Sequence, residues 1–428
     1  MKRMGTAGIS LVLFGVATAA YGSGFGLYQP STISHAMGGA LVGKAMDASA
    51  NFNNPATLTD LTNLQFTVGF VTEHPRGRVE TSRNCLPATR STMDSGMFVL
   101  PHFQLAIPLP ADFTFGFGFE PDYGLGTSYD DIWPMNFSAT ETKIQSIVLN
   151  PNLAYKVTDD WSIGAGARFL YFEFEQYSRP QVPYNHPLLG LVEAGRFGNR
   201  LRGDNEMKDV GWQIGTKYDI TDTFSVGAVY KSWIQTHVDG KTSTDVYYAN
   251  TGFDTALANE AVKHNGRAHA DITMPQSVAV GCNWDVLPTW HLGSMVSWTQ
   301  WSDYDTLHFE LAGGDTYTKL AWRDTWRGSI GSCWDFAEDW KWMVSYTYDM
   351  DSTTCDQASV MLPPADRHIL GTGFAWNCWG GLELALSYAC IFMDGGDMTM
   401  TDRVGNRWYL ETQWGFCHAA GFSVTYRF

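Results

Sequence analysis

The sequence predicts a transmembrane antiparallel β-barrel of about 14 strands, filled by its own N-terminal segment. Three observations predict it: composition, period-2 alternation, and connections that alternate between short and long. Charged residues make up only 17% of the 428 residues, below the ~25% usual in soluble domains. Aromatics reach 14%, and the 43 glycines follow no Gly-X-Y period. Mean hydropathy is −0.18, so a bundle of apolar helices is excluded. A barrel fits, because only alternate residues of each strand meet lipid. The net charge of −16 excludes a phosphate-neutralising surface, so no nucleic-acid partner is expected.

The elements follow in order. Lys2 and Arg3 precede an apolar stretch from Ile9 to Ala20, closed by Ala20-Tyr21-Gly22. This is the pattern of a secretory signal peptide over residues 1–22, too short for a membrane-spanning helix. Residues 23–63 are small, Gly/Ala-rich and turn-rich. They are expected to form a hatch, since a 14-stranded barrel is wide enough to need filling if it is not an open pore. Residues 64–428 are then the barrel.

Alternation places strands near 64–74, 95–109, 112–122, 141–157, 159–175, 208–219, 222–237, 266–285, 288–311, 320–337, 339–350, 366–378, 381–394 and 411–428. Around residue 344 one face carries Trp340, Trp342, Val344, Tyr346 and Tyr348, and the other Lys341, Met343, Ser345, Thr347 and Asp349. In the same way Trp322, Trp326, Ile330, Trp334 and Phe336 oppose Arg323, Thr325, Arg327 and Ser329. Short connections fall near Pro110-Ala111, Thr158-Asp159, Thr221, 285–288, 337–339 and 378–381. Long ones fall near 75–94, 123–140, 176–207, 238–265, 312–319, 351–365 and 395–410. Short periplasmic turns and long outer loops characterise bacterial outer-membrane barrels. Phe428 suits a last strand read by the outer-membrane assembly machinery. Trp298 and Trp301, flanking Gln300 on the ninth strand, are expected in an interfacial girdle or in contact with ligand, and a place near a strand's end favours the girdle.

No cofactor, metal site or catalytic residue is expected. The seven cysteines include no CxxC, and a bridge such as Cys85–Cys355 is one option among loops. Gly38 to Lys44 begins like a phosphate-binding loop, but Ala45 stands where Ser/Thr is needed.

Several motifs together resemble the FadL/TodX family of outer-membrane transporters for long-chain fatty acids and other hydrophobic molecules. They are Ser23-Gly24-Phe25-Gly26-Leu27, Ala36-Met37-Gly38-Gly39-Ala40, Asp47-Ala48-Ser49-Ala50 and Asn54-Pro55-Ala56. Gly124-Leu125-Gly126, Trp322 to Arg327, Leu362 to Arg367 and Tyr426-Arg427-Phe428 agree. Met46 and Thr57 depart from the family's usual Asp and Gly. The resemblance implies capture of a hydrophobic ligand among outer loops, a lumenal pocket, and sideways release through an opening in the wall. It implies that Phe25, as third residue of the mature chain, reaches the pocket with Leu27 beside it. It also implies that Asn54, Pro55 and Ala56 form a hatch element near the wall opening.

A carboxylate head would need a cation, and parity puts Arg323 and Arg327 on the lumenal face. Either binds ligand or pairs with a lumenal carboxylate such as Glu383 or Asp349. Outer-membrane lipid and lipopolysaccharide are the expected surroundings, and a hatch-filled barrel can work as a monomer. The alternatives are a general diffusion porin, which would conduct ions steadily, and an outer-membrane phospholipase, for which no local Ser/His signature appears.

Overall fold

The computed structural model describes residues 24–428, apart from 29, 85, 321, 355–359 and 363. The signal segment and the Cys85–Cys355 option lie outside the described residues.

Alternation builds the wall as expected. Its 14 strands are β1 (Gln65–Arg83), β2 (Phe98–Pro108), β3 (Phe113–Glu120), β4 (Glu141–Lys156), β5 (Trp161–Ser178), β6 (Asp209–Thr221), β7 (Phe224–Lys231), β8 (Ser277–Leu287), β9 (Trp290–Thr299), β10 (Thr325–Ala337), β11 (Trp340–Asp349), β12 (Arg367–Asn377), β13 (Leu382–Met393) and β14 (Arg407–Arg427). Each pairs antiparallel with the next, and β14 closes on β1 from Gln65↔Arg427 to Arg83↔Trp408. On β10, Trp326, Ile330, Trp334 and Phe336 stay exposed while Arg327, Ser329 and Cys333 are buried. Such exposed apolar rows suit only a wall bathed in lipid.

Four details differ from the sequence expectation. The long connections are largely strands themselves: Thr89–Asp94, Gln181–His186, Gly190–Asp204, Ile234–Ala249, Thr316–Lys319 and Asp397–Thr401. They carry the wall outward into water, where polar residues such as Arg200, Arg202 and Lys241 weaken the apolar contrast that periodicity detects. A helix, Asp254–Lys263, lies in one of them. The stretch 266–285 breaks after Met274, because Pro275 has no N–H to donate. The stretch 288–311 breaks at a short helical turn, Trp301–Asp303. The tenth strand starts only at Thr325, so parity does not govern Trp322 or Arg323.

The hatch sits inside. It comprises α1 (Thr32–Ala36), α2 (Ala50–Asn53) and a 3₁₀ turn, Pro55–Asp60. Ser31 caps α1 by accepting from the Ser34 N–H at 3.1 Å. The hatch backbone lies directly on glycines of the wall. A Cβ at Gly331 would meet the Met37 carbonyl oxygen at 2.7 Å; those at Gly227, Gly293 and Gly164 would collide with the backbone of Val42, Ala40 and Pro55. Side-chain amides fasten the seat. Asn283 Nδ2 donates to Ala40 O at 3.1 Å, and its Oδ1 accepts from Gly43 N at 2.9 Å. Ion pairs Lys44–Asp285 and Lys217–Asp60 tie the rim at the short-turn end.

Candidate functional site

The wall has one interruption in its pairing near the N-terminal segment. β3 pairs with β2 only from Thr114↔Pro108 to Phe119↔Phe103. Beyond Glu120 comes Pro121, which cannot donate to a neighbour. The chain then turns inward and resumes as Gly124–Ser128, paired with β4 alone. Residues Phe98 to His102 pair with β1 and not with this segment. The two sides meet again at the Met93↔Tyr129 bridge.

The inward turn is held from three sides. Leu27 N donates to Asp122 O and Gly124 N to Phe25 O, each at 2.8 Å. Tyr123 N donates to Ser146 Oγ at 2.7 Å. The Asp122 carboxylate pairs with Arg168 of β5, and both side chains are buried.

Phe25 is 1% exposed and fills an aromatic cage. Its ring centroid lies 4.8 Å from Trp301, 5.3 Å from Tyr304, 5.8 Å from Trp322 and 5.9 Å from Tyr123, all edge-to-face. These residues belong to one continuous apolar cluster, which extends outward through Phe174, Leu201, Leu307, Phe309 and Met361. There a cavity of about 270 Å³ opens among the outer extensions. Leu27 packs separately with Val71 and Leu100, on the β2 side of the break.

At the cavity rim, burial pushes the Asp402 carboxyl up. Hydrogen bonds from Trp408 and Asn406 outweigh that and hold it below its ordinary value.

Of the expected residues, Phe25, Leu27 and Arg327 are all buried inside the barrel, in separate surroundings. Arg327 is buried, lies 3.6 Å from Asp349 and stacks on Tyr28 at 4.1 Å. Asp349 also faces Arg367 at 3.5 Å, while Glu383 pairs with Arg427 at 3.0 Å. Arg323 departs from parity: it is exposed, and its Nε donates to Asp351 O at 3.0 Å. Asn54, Pro55 and Ala56 lie apart from the break. Asn54 Nδ2 donates to Thr216 O of β6 at 3.0 Å, and Pro55 and Ala56 back onto Gly164 of β5.

Periodicity missed the cage. Trp301, expected in the girdle, is fully buried, and Trp322, expected on the lipid face, is 7% exposed. Both sit where strands break: alternation assigns Trp322 the wrong side, and a place near a strand's end points Trp301 to the girdle. The signals available were Pro121 directly after an alternating strand and an aromatic run, Trp298 to Tyr304, that keeps no period of two.

The family model for outer membrane protein transport proteins (OMPP1/FadL/TodX) matches residues 13–428. The chain is 23% identical over 448 residues to a long-chain fatty acid transport protein of Escherichia coli, covering 96% of each. Its fold is similar to a crystal structure of a Pseudomonas aeruginosa FadL homologue, with TM-score 0.80, 20% identity, and 94% of this chain and 99% of that one covered. It is also similar to the Pseudomonas putida toluene transporter TodX, with TM-score 0.67, 17% identity, and 95% and 99% covered. The strands that cross the membrane, the seated hatch and this match over nearly the whole length agree: the chain belongs to the OMPP1/FadL/TodX family of outer membrane transport proteins.

Proposed function

We propose that this chain passes hydrophobic small molecules, long-chain fatty acids or hydrocarbons, passively across the bacterial outer membrane. The observation that carries this reading is the unbroken apolar cluster from the outer cavity to Phe25 and Tyr123 at the wall break. A hydrocarbon chain gains ~0.8 kcal/mol per CH₂ in apolar surroundings, so a lined path needs no energy source. Release is sideways, between β2 and the inward turn after β3, once Phe25 and Leu27 withdraw. Phe25, Leu27 and Arg327 are then pocket residues, and Asn54, Pro55 and Ala56 hold the hatch against β5 and β6. The names of relatives support fatty acids and toluene as substrate classes.

Phe428 is 66% exposed beside Phe66 and Tyr426, accessible to an assembly factor. Lipid and lipopolysaccharide surround a barrel that functions as a monomer, exported by residues 1–22.

Phe25→Asp tests the route. It puts a carboxylate into the cage, where an unpaired charge is strongly disfavoured. Uptake of radiolabelled oleate and toluene by cells bearing the variant should fall at least tenfold, an effect on the order of 1.4 kcal/mol, with normal amounts of folded barrel. Unchanged uptake of both would overturn the route.

A further inference from the structure

We propose that Arg403 is the head-group anchor of the outer cavity, selecting long-chain carboxylates over neutral hydrocarbons of equal length. The proposal rests on the transport reading and adds the chemical class of the ligand's head.

The lumenal arginines nearby are already engaged. Arg327 and Arg367 share Asp349, Arg168 holds Asp122, and Arg427 holds Glu383. In the outer region Arg179 pairs with Asp131 at 2.8 Å and Arg196 with Glu193 at 2.8 Å. Arg403 differs. It lines the cavity, it is exposed, and it has no carboxylate or hydrogen-bond partner among the described residues.

Its neighbour Asp402 does not neutralise it. That carboxylate accepts from Trp408 Nε1 at 2.9 Å, Asn406 Nδ2 at 2.9 Å and Gln181 Nε2 at 3.2 Å. It also accepts from the backbone N–H groups of Val404, at 3.1 Å, and Asn406, at 2.8 Å. These bonds turn Asp402 inward and stiffen the hairpin tip that carries Arg403.

The cavity lining combines apolar side chains, Phe174, Leu307, Phe309, Met361 and Met400, with polar ones such as Gln176, Asn199 and Thr242. The lining is amphipathic: an exposed cation shares the cavity with a set of hydrocarbon side chains. A fatty-acid anion fits head-out and tail-in. The guanidinium offers a planar fork that meets a carboxylate with two parallel bonds.

Titration of the purified full-length protein in detergent with oleate and with oleyl alcohol, followed by tryptophan fluorescence, tests the assignment. The wild type should bind oleate more tightly. Arg403→Ala should weaken oleate at least about fivefold, the scale expected of a partly wet ion pair, and leave oleyl alcohol unchanged. Arg403→Lys should recover part of the oleate affinity. Unchanged oleate binding in Arg403→Ala would overturn the proposal, as would an equal loss for both probes. Failure of the wild type to bind either probe would instead overturn the transport reading.

Discussion

Gly331→Val should convert a closed barrel into a leaky one. Gly331 faces the lumen on β10, and its missing Cβ is what lets the Met37 carbonyl approach. Valine is favoured in strands, so the wall itself should tolerate the change. The hatch should not, because its backbone has nowhere to retreat on that side. In planar bilayers the variant should pass a steady ion current where the wild type passes little. Gly328→Val, three residues earlier on the same strand, is the control: nothing lies within 4 Å of a Cβ there. Equal conductance of the two variants would mean that the glycine seat does not hold the hatch.

Arg168→Met should disrupt the inward turn. Arg168 and Asp122 are both nearly inaccessible, 2% and 8% by side chain. Removing one member leaves the other charge buried and unpaired, which costs about 3–5 kcal/mol. The loss falls on Pro121 to Tyr123, whose remaining ties are to Ser146 and to the N-terminal segment. The expected result is a lower unfolding temperature, read from heat-dependent mobility in detergent gels, together with altered uptake. The double variant Arg168→Met with Asp122→Asn should recover much of the stability, since the carboxylate left without its guanidinium is removed as well. Equal stability of wild type and Arg168→Met would remove the ion pair from this account.

How much of this was legible in the sequence depends on where periodicity holds. The 14 spans were legible because lipid demands an apolar residue at every second position, as on β10 and β11. The short turns and the N-terminal hatch were legible from composition. The outer extensions were not, because Ile234–Ala249 alternates between buried residues such as Val238 and water-facing ones such as Asp239, with little difference in hydropathy from a loop. The cage was read in part. Phe25 comes from the motif Ser23 to Leu27, but Trp322 is expected outward because parity runs past the start of β10, and Trp301 is expected in the girdle because it lies near a strand's end. Arg327 was placed correctly on the lumenal face, with Asp349 among its foreseen partners. Arg323 was not, since it lies in irregular chain two residues before Thr325, where the strand begins. The glycines carried a further message that composition hides: several are the hatch's seat, visible only once the strands are side by side.

The central claim is that ligand moves from the outer cavity through the aromatic cage to the break beside β2, and not down past the hatch. A photoreactive long-chain fatty acid, activated during uptake into cells carrying the wild-type chain and mapped by peptide mass spectrometry, tests it most directly. Labels are expected at Leu307 and Phe309, at Trp301 and Tyr123, and at Leu100. Labels concentrated at the short-turn end of the hatch, around Lys44, Asp60 and Asp285, would contradict it.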